Sequence, residues 1–203
     1  ELGRYRCHLA RLQASVKQRI RALLLRQGVV TPRALFTQRG HAWLDDLSLA
    51  GWAGSELRGL RTVLSDVRRQ LVPVLAAMRT VAATDPIAHA LDRLPGFGPV
   101  FSVTIRAEVA TITRFPDGPH LASYAGVVPR VARSGDRSWS GRITKTGSPW
   151  LRWCLIEAAI HQFRRPDDFG RWARRLAGGT GILEPRVAVA RALCDEIFVA
   201  WPR

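Results

Sequence analysis

Paired cysteines, clustered histidines, long apolar runs and lysine are all missing or scarce in this sequence, and each shortage closes off a class of protein. The three cysteines, Cys7, Cys154 and Cys194, are far apart and form no Cys-x-x-Cys or Cys/His cluster, which argues against a disulfide framework and a zinc site. They read as small buried hydrophobes in a reducing cytosol. No apolar run reaches the ~18–20 residues that a membrane span needs. No charged start, apolar stretch and small-residue cleavage site marks a secretory signal. The Gly178–Gly181 cluster lacks the lysine and flanking strand of a phosphate-binding loop and reads as a linker. Glu1 opens the sequence and Met78 is its only methionine, so the expectation is the downstream part of a longer protein.

What the sequence has in excess is arginine. Lysine occurs only at Lys17 and Lys145, yet Lys and Arg together number 31 against 16 acids, for a net charge of +15. A chain this basic attracts polyanions, and the planar guanidinium fork suits bidentate contact with phosphate. The charge is localised. Residues 1–39 carry nine cations and one acid, and residues 128–165 carry eight and two, so these stretches supply 14 of the 15 net charges. They are the expected electrostatic footprint.

Hydrophobic spacing organises the rest. Leu2, Tyr5, Leu9, Leu12, Val16, Ile20 and Leu23 recur at intervals of three and four, one face of a long helix. Gly28 and Pro32 end it. Short helices are expected near 33–38 and 41–47, with Gly51 and Gly54 as punctuation. A second seam, Leu57, Leu60, Leu64, Val67, Leu71, Val74 and Met78, keeps the heptad pattern of a coiled coil, with Pro73 expected to kink it. The two long helices pair either with each other, as an antiparallel hairpin, or with a second copy of the chain. From Asp85 the helices shorten, with further ones expected near 117–125, 149–164, 168–177 and 185–200. Between them, 127–146 alternates brokenly, as a β-hairpin or an extended loop. The expected fold is therefore mainly α: a helical arm over 1–84 and a compact helical domain over 85–203.

Two features of the second part carry chemistry. Leu94-Pro95-Gly96-Phe97-Gly98-Pro99 between two short helices has the pattern of a helix-hairpin-helix turn. In such a turn Gly96 and Gly98 let the backbone approach a phosphate, and the next helix offers unpaired N–H groups. The other feature is Arg133–Gly147, RSGDRSWSGRITKTG, with four cations, five hydroxyls, three glycines and one acid, Asp136. That mixture suits a nucleic-acid backbone, with Arg130, Arg133, Arg137, Arg142, Thr144 and Lys145 as the expected phosphate contacts. The nearest histidines in sequence are His120 and His161, so a Ser/His/Asp triad is not expected. Trp139 and Trp150 either stack on bases or pack under the loop. Glu108 has no second carboxylate at useful spacing and reads as a cap or salt-bridge partner, not a metal ligand.

PGFGP at 95–99, RF at 114–115, LASYAG at 121–126, PR at 129–130, SG at 134–135, GRITKTG at 141–147 and LRWCLIEAA at 151–159 follow one another in a specific order. Through them the stretch from about 85 to 165 resembles the C-terminal domain of IS110/IS116-type insertion-sequence transposases, a family that includes pilin-gene invertases. The resemblance implies a two-part recombinase acting on DNA in the bacterial cytoplasm. One part is an RNase-H-like domain whose four acidic residues bind a divalent metal, with Mg expected. The other is a C-terminal domain supplying a serine nucleophile, here Ser134. A structured guide RNA and a homo-oligomer, dimer or tetramer, are the further partners implied. The acidic tetrad is expected upstream of Glu1, so no cofactor is expected in this chain. A serine hydroxyl needs a base or metal to act as a nucleophile, and neighbouring arginines stabilise the charge of a phosphorane-like transition state. The rival readings are Ser138 or Ser140 as nucleophile, Ser134 as a turn residue beside Gly135, a non-catalytic nucleic-acid-binding module, and a subunit-assembly domain built on the heptad seam.

Overall fold

The computed structural model describes residues 1–134, 137–178, 181–182 and 185–202, with backbone alone at 131–134 and 137–140. The chain is mainly α, as expected. Its helices are α1 (Leu2–Arg26), α2 (Gln38–Asp46), α3 (Gly51–Thr84), α4 (Pro86–Asp92), α5 (Pro99–Val109), α6 (Gly118–Ala125), α7 (Pro149–Gln162), α8 (Asp168–Ala177) and α9 (Pro185–Ala200). A two-stranded antiparallel hairpin, β1 (Pro129–Ser134) and β2 (Arg137–Ile143), sits between α6 and α7. The chain divides into two compact units, Glu1–Ala76 and Ala77–Arg203, so the division falls inside α3 and not at the Thr84/Asp85 join. Among the described residues, no single helix is long and apolar enough to cross a membrane.

In the first unit the heptad seam is filled from within the chain. Ile20, Leu23 and Leu24 of α1 pack with Leu57 and Leu64 of α3, and with Leu35 and Leu44 beside them. Leu9 packs with Val67, Leu71 and Val74. The start of α1 thus meets the later turns of α3, and its end meets their beginning, which is the antiparallel hairpin. Tyr5 and Leu12 stay exposed, because they fall at the edge of the α1 stripe; Tyr5 instead donates its hydroxyl to Gln70 Oε1 at 2.7 Å. The short helix expected near 33–38 does not form. Thr37 caps α2 there, accepting the Gly40 N–H at 3.4 Å, while a Cβ on Gly40 would collide with the Leu35 carbonyl. Gly54 is not punctuation but lies inside α3, where only glycine clears the Leu49 carbonyl. Pro73 lies inside α3, which runs on through it to Thr84. It is exposed, so the carbonyl it leaves without a helical donor faces solvent.

The second unit is built around α7 and α9. Leu151, Cys154, Leu155, Ala158 and Ala159 of α7 are all buried, together with Val189, Ala190, Leu193, Cys194 and Ile197 of α9. Leu91, Ile105 and Leu121 bring α4, α5 and α6 onto the same core. Side-chain caps fix where these helices begin. Asp85 accepts from Ile87 and Ala88, Asp117 from His120, Ser148 from Trp150 and Leu151, and Asp167 from Gly170. A proline follows at the first turn of α4, α6 and α7, where its missing N–H costs nothing. The three cysteines are buried and free, as expected.

Candidate nucleic-acid interface

The basic stretch folds into the β1–β2 hairpin, and its base is clamped to the helical core. Gly126, at φ +70°, ends α6, and Gly147, at φ +79°, passes so close to the Tyr124 carbonyl that no Cβ fits. Between them Thr144 donates its N–H to Val128 O at 2.9 Å and Lys145 to Gly126 O at 3.2 Å. Arg130 Nη2 reaches Thr144 O at 3.3 Å, and Arg152 Nη1 donates to Ala125 O at 3.1 Å and Thr146 O at 3.3 Å. Glu108 joins this clamp by accepting from the α7 cap, Ser148 Oγ, at 2.7 Å, which agrees with its reading as a capping partner. Along the strands Val131 faces Ser140, Ala132 faces Trp139, Arg133 faces Ser138 and Ser134 faces Arg137. Ser134 is therefore the last paired residue of β1. Residues 135–136 and the side chains of Arg133, Ser134, Arg137, Ser138, Trp139 and Ser140 lie outside the described part, so the structure places these candidates by backbone alone.

A cleft of about 750 Å³ opens between the foot of this hairpin and the beginning of α9. Arg142 and Lys145 line it from one side, Arg186 and Arg191 from the other, with Pro129 and Ile143 between them. No carboxylate lines it, and none of the four cations forms an ion pair among the described residues. Among the described residues the buried Nε of Arg186 has no hydrogen-bond partner, an orphan donor of the kind that costs free energy unless a partner satisfies it. Lys145 holds φ at +55°, a left-handed conformation uncommon for a residue with a side chain, and that side chain is exposed. Of the sequence candidates, Arg142 and Lys145 are thus brought together. Arg130 is instead engaged on the Thr144 carbonyl, and Thr144 Oγ1 accepts from Thr146 at 3.2 Å. Arg186 and Arg191 were missed, because nothing in the sequence says that α9 comes back to the hairpin.

The glycine turn forms a second, separate cleft of about 320 Å³ with His161. Leu94 O accepts from Phe97 N at 3.1 Å, with Pro95 second and Gly96, at φ +80°, third, which is a type II turn. Gly98 then caps α5. The turn is pinned by Gln162, which is fully buried and donates Nε2 to Pro95 O at 2.8 Å and to Ala158 O at 3.0 Å. Arg165 holds Gln162 Oε1 at 2.9 Å, Glu196 at 3.1 Å and Asp167 at 2.9 Å, tying the ends of α7, α8 and α9 together. The Arg165 guanidinium and the Gly170 N–H hold the Asp167 carboxyl below the usual carboxylate range.

Among the described residues, no three His, Cys, Asp or Glu side chains come close enough to hold a metal ion. The hairpin cleft, lined by cations, repels one. The described residues lining this cleft therefore suit an anion and not a divalent cation.

Residues 88–174, which hold the glycine turn, the hairpin and α7, match the family model described as transposase IS116/IS110/IS902 family. A probable family 20 transposase of Pseudomonas aeruginosa is 25% identical over 96% of this chain and 59% of its own length. The transposase for insertion sequence element IS1111A of Coxiella burnetii is 27% identical over 62% of this chain and 36% of its own length. An uncharacterized 44.8 kDa protein of insertion element IS116 from Streptomyces clavuligerus is 30% identical over 44% of this chain and 22% of its own. The chain therefore spans between about a fifth and three fifths of the length of these relatives. Through residues 88–174, the chain is similar to the IS116/IS110/IS902 family of transposases.

Proposed function

We propose that this chain is the C-terminal portion of a transposase that cuts and rejoins DNA, with the DNA backbone held in the cleft between the hairpin and α9 and Ser134 as the nucleophile. The observation that carries this reading is the cation set Arg142, Lys145, Arg186 and Arg191, without an ion pair among the described residues, at the foot of the hairpin whose last backbone pair is Ser134 and Arg137. Phosphates neutralised by such cations release counterions, which gives sequence-independent, salt-sensitive affinity. In the proposed step Ser134 Oγ attacks the scissile phosphorus. A phosphoserine ester forms, the bond from phosphorus to a sugar oxygen breaks, the serine proton is released and the departing oxygen takes one up. The ester keeps the energy of the broken bond, so a strand hydroxyl reverses the step and exchanges strands without ATP. Gly98 and the start of α5 seat a neighbouring phosphate, a role suited to an open helix N-terminus. Arginines close to the phosphorus supply charge stabilisation in the transition state. A guide RNA and a homo-oligomer belong to the same proposal, with the arginine-rich outer face of α1 as the surface offered to RNA.

Full-length transposase incubated with labelled element DNA is expected to give a denaturant-resistant protein–DNA adduct. Ser134→Ala abolishes it, while Ser138→Ala and Ser140→Ala leave it. An adduct that survives Ser134→Ala moves the nucleophile to another residue. No adduct in any form, with tight salt-sensitive binding, leaves a binding module.

A further inference from the structure

The first unit holds a second cationic cleft that the hairpin does not share. It measures about 520 Å³ and is lined by His41 of α2 and by Arg58, Arg61, Thr62, Ser65 and Arg68 of α3. No carboxylate lines it. The arginines stand at positions 58, 61 and 68 on one face, with Ser65 between them, the spacing that stacks side chains along a single stripe of a helix. Two of them are fixed in place from below. Arg61 donates to Leu44 O at 3.1 Å and pairs with Asp45, and Arg68 donates to Phe36 O at 3.2 Å. Arg58, Thr62 and Ser65 stand exposed above them.

The contact between Arg68 and His41 gives the cleft its character. Arg68 Nη1 lies 2.5 Å from His41 Nε2. Guanidinium only donates, so Nε2 accepts and the imidazole is neutral, with its proton on Nδ1. Every charged group that faces His41 can be named: Arg68 and Arg61 from α3, Lys17 from α1, and Asp45 from α2. Three of the four are cations. Burial first, then Arg68 and Arg61, hold the imidazole below its ordinary range, against the weaker pull of Asp45. Lys17 is held low in the same way, by burial and then by Arg68 and Arg21. A fold that crowds cations until they depress one another, with the one acid facing His41, Asp45, already paired with Arg61, is arranged for an anion from outside.

We infer that this cleft binds a backbone phosphodiester of a nucleic acid, which accepts from Arg58 and Arg68 and draws a proton onto His41. The site goes beyond the hairpin reading and does not depend on it. A bound phosphate supplies the missing negative charge, so the neutral imidazole, disfavoured as a cation in the empty cleft, becomes stable as imidazolium. Phosphate binding and His41 protonation are thereby linked, and binding at this site strengthens as pH falls through the His41 range.

The test is the His41 ring signal of the full 203-residue chain, followed by NMR against pH. It is recorded alone, with inorganic pyrophosphate, with a twelve-nucleotide single-stranded RNA and with a twelve-base-pair DNA duplex. The expected result is a rise of about one pH unit in the His41 midpoint with pyrophosphate and with at least one polymer. Which polymer moves it identifies the source of the phosphate. Arg58→Gln and Ser65→Asp change exposed positions on a helix surface, so they keep the fold, and both are expected to remove the rise, while Arg58→Lys retains most of it. The same titration on Arg142→Gln/Arg191→Gln separates this site from the hairpin cleft, because the His41 rise persists there whether or not the hairpin grips DNA. A His41 midpoint unmoved by all three probes, or moved equally in Arg58→Gln and Ser65→Asp, overturns the inference.

Discussion

At Gly96 the backbone φ is +80° and a Cβ would stand 2.5 Å from Gln162 Nε2, whereas at Gly98 nothing lies within 4 Å and φ is extended. Sequence marks the two glycines alike, as places where backbone nears a phosphate. The structure separates them, because the first is required by the turn and by a side chain 66 residues further along the chain, which no local pattern reveals. Gly96→Ala is expected to destabilise the second unit by about 1–2 kcal/mol from the left-handed backbone alone, read by urea denaturation. Gly98→Ala is expected to stay within about 0.5 kcal/mol of the parent and yet to weaken DNA binding, since its methyl occupies the open approach to α5. Equal stability losses at both positions would show that the turn, not a phosphate, accounts for the pair. Ser134, Arg133 and Arg137 were legible as residue types suited to phosphodiester chemistry, and the pairing of Ser134 with Arg137 puts them at the end of the hairpin. Their chemical role remains the proposal that the adduct experiment tests.

Among the elements, α1 and α3 show how far periodicity reaches. The spacing of three and four located both helices and most of the buried seam, because an apolar stripe must be covered whatever covers it. It could not name the partner, since the stripe is the same for a partner in the chain or in a second copy. Here Leu57, Leu64, Val67, Leu71 and Val74 are covered by α1. Leu64→Ala is expected to cost about 2–5 kcal/mol, the range for emptying a fully buried leucine site. Its thermal transition is expected not to depend on protein concentration, and a midpoint that climbs with concentration would show the seam serving a second copy. The failure at 33–38 has a local cause, the Thr37 cap and the glycine three residues on, a signal present in the sequence and outweighed there by apolar residues. The β-hairpin was left open between strand and loop, and its alternation is broken by the register irregularity between Pro129 and Val131. The other wall of its cleft was illegible. Arg186 lies 44 residues after Arg142 and reads as the solvated face of a terminal helix until α9 is seen to return beside β2.

For the whole molecule, the net charge of +15 points to a polyanionic partner without pointing to the sites. The two basic stretches of the sequence, 1–39 and 128–165, only partly coincide with the cationic clefts of the fold. One cleft draws Arg142 and Lys145 from the second stretch but Arg186 and Arg191 from beyond it, and the other is lined mainly from α3. Charge composition sums over the chain, whereas phosphate binding depends on which cations face one opening with no acid between them. The measurement closest to the central claim is the salt dependence of duplex DNA binding by this chain, compared with Arg142→Gln/Arg191→Gln. Each lost phosphate contact lowers the slope of log affinity against log salt by about 0.9, so the double variant is expected to bind more weakly with a slope shallower by about 2. A slope and affinity indistinguishable from the parent would contradict the assignment of the hairpin cleft as the site that holds DNA.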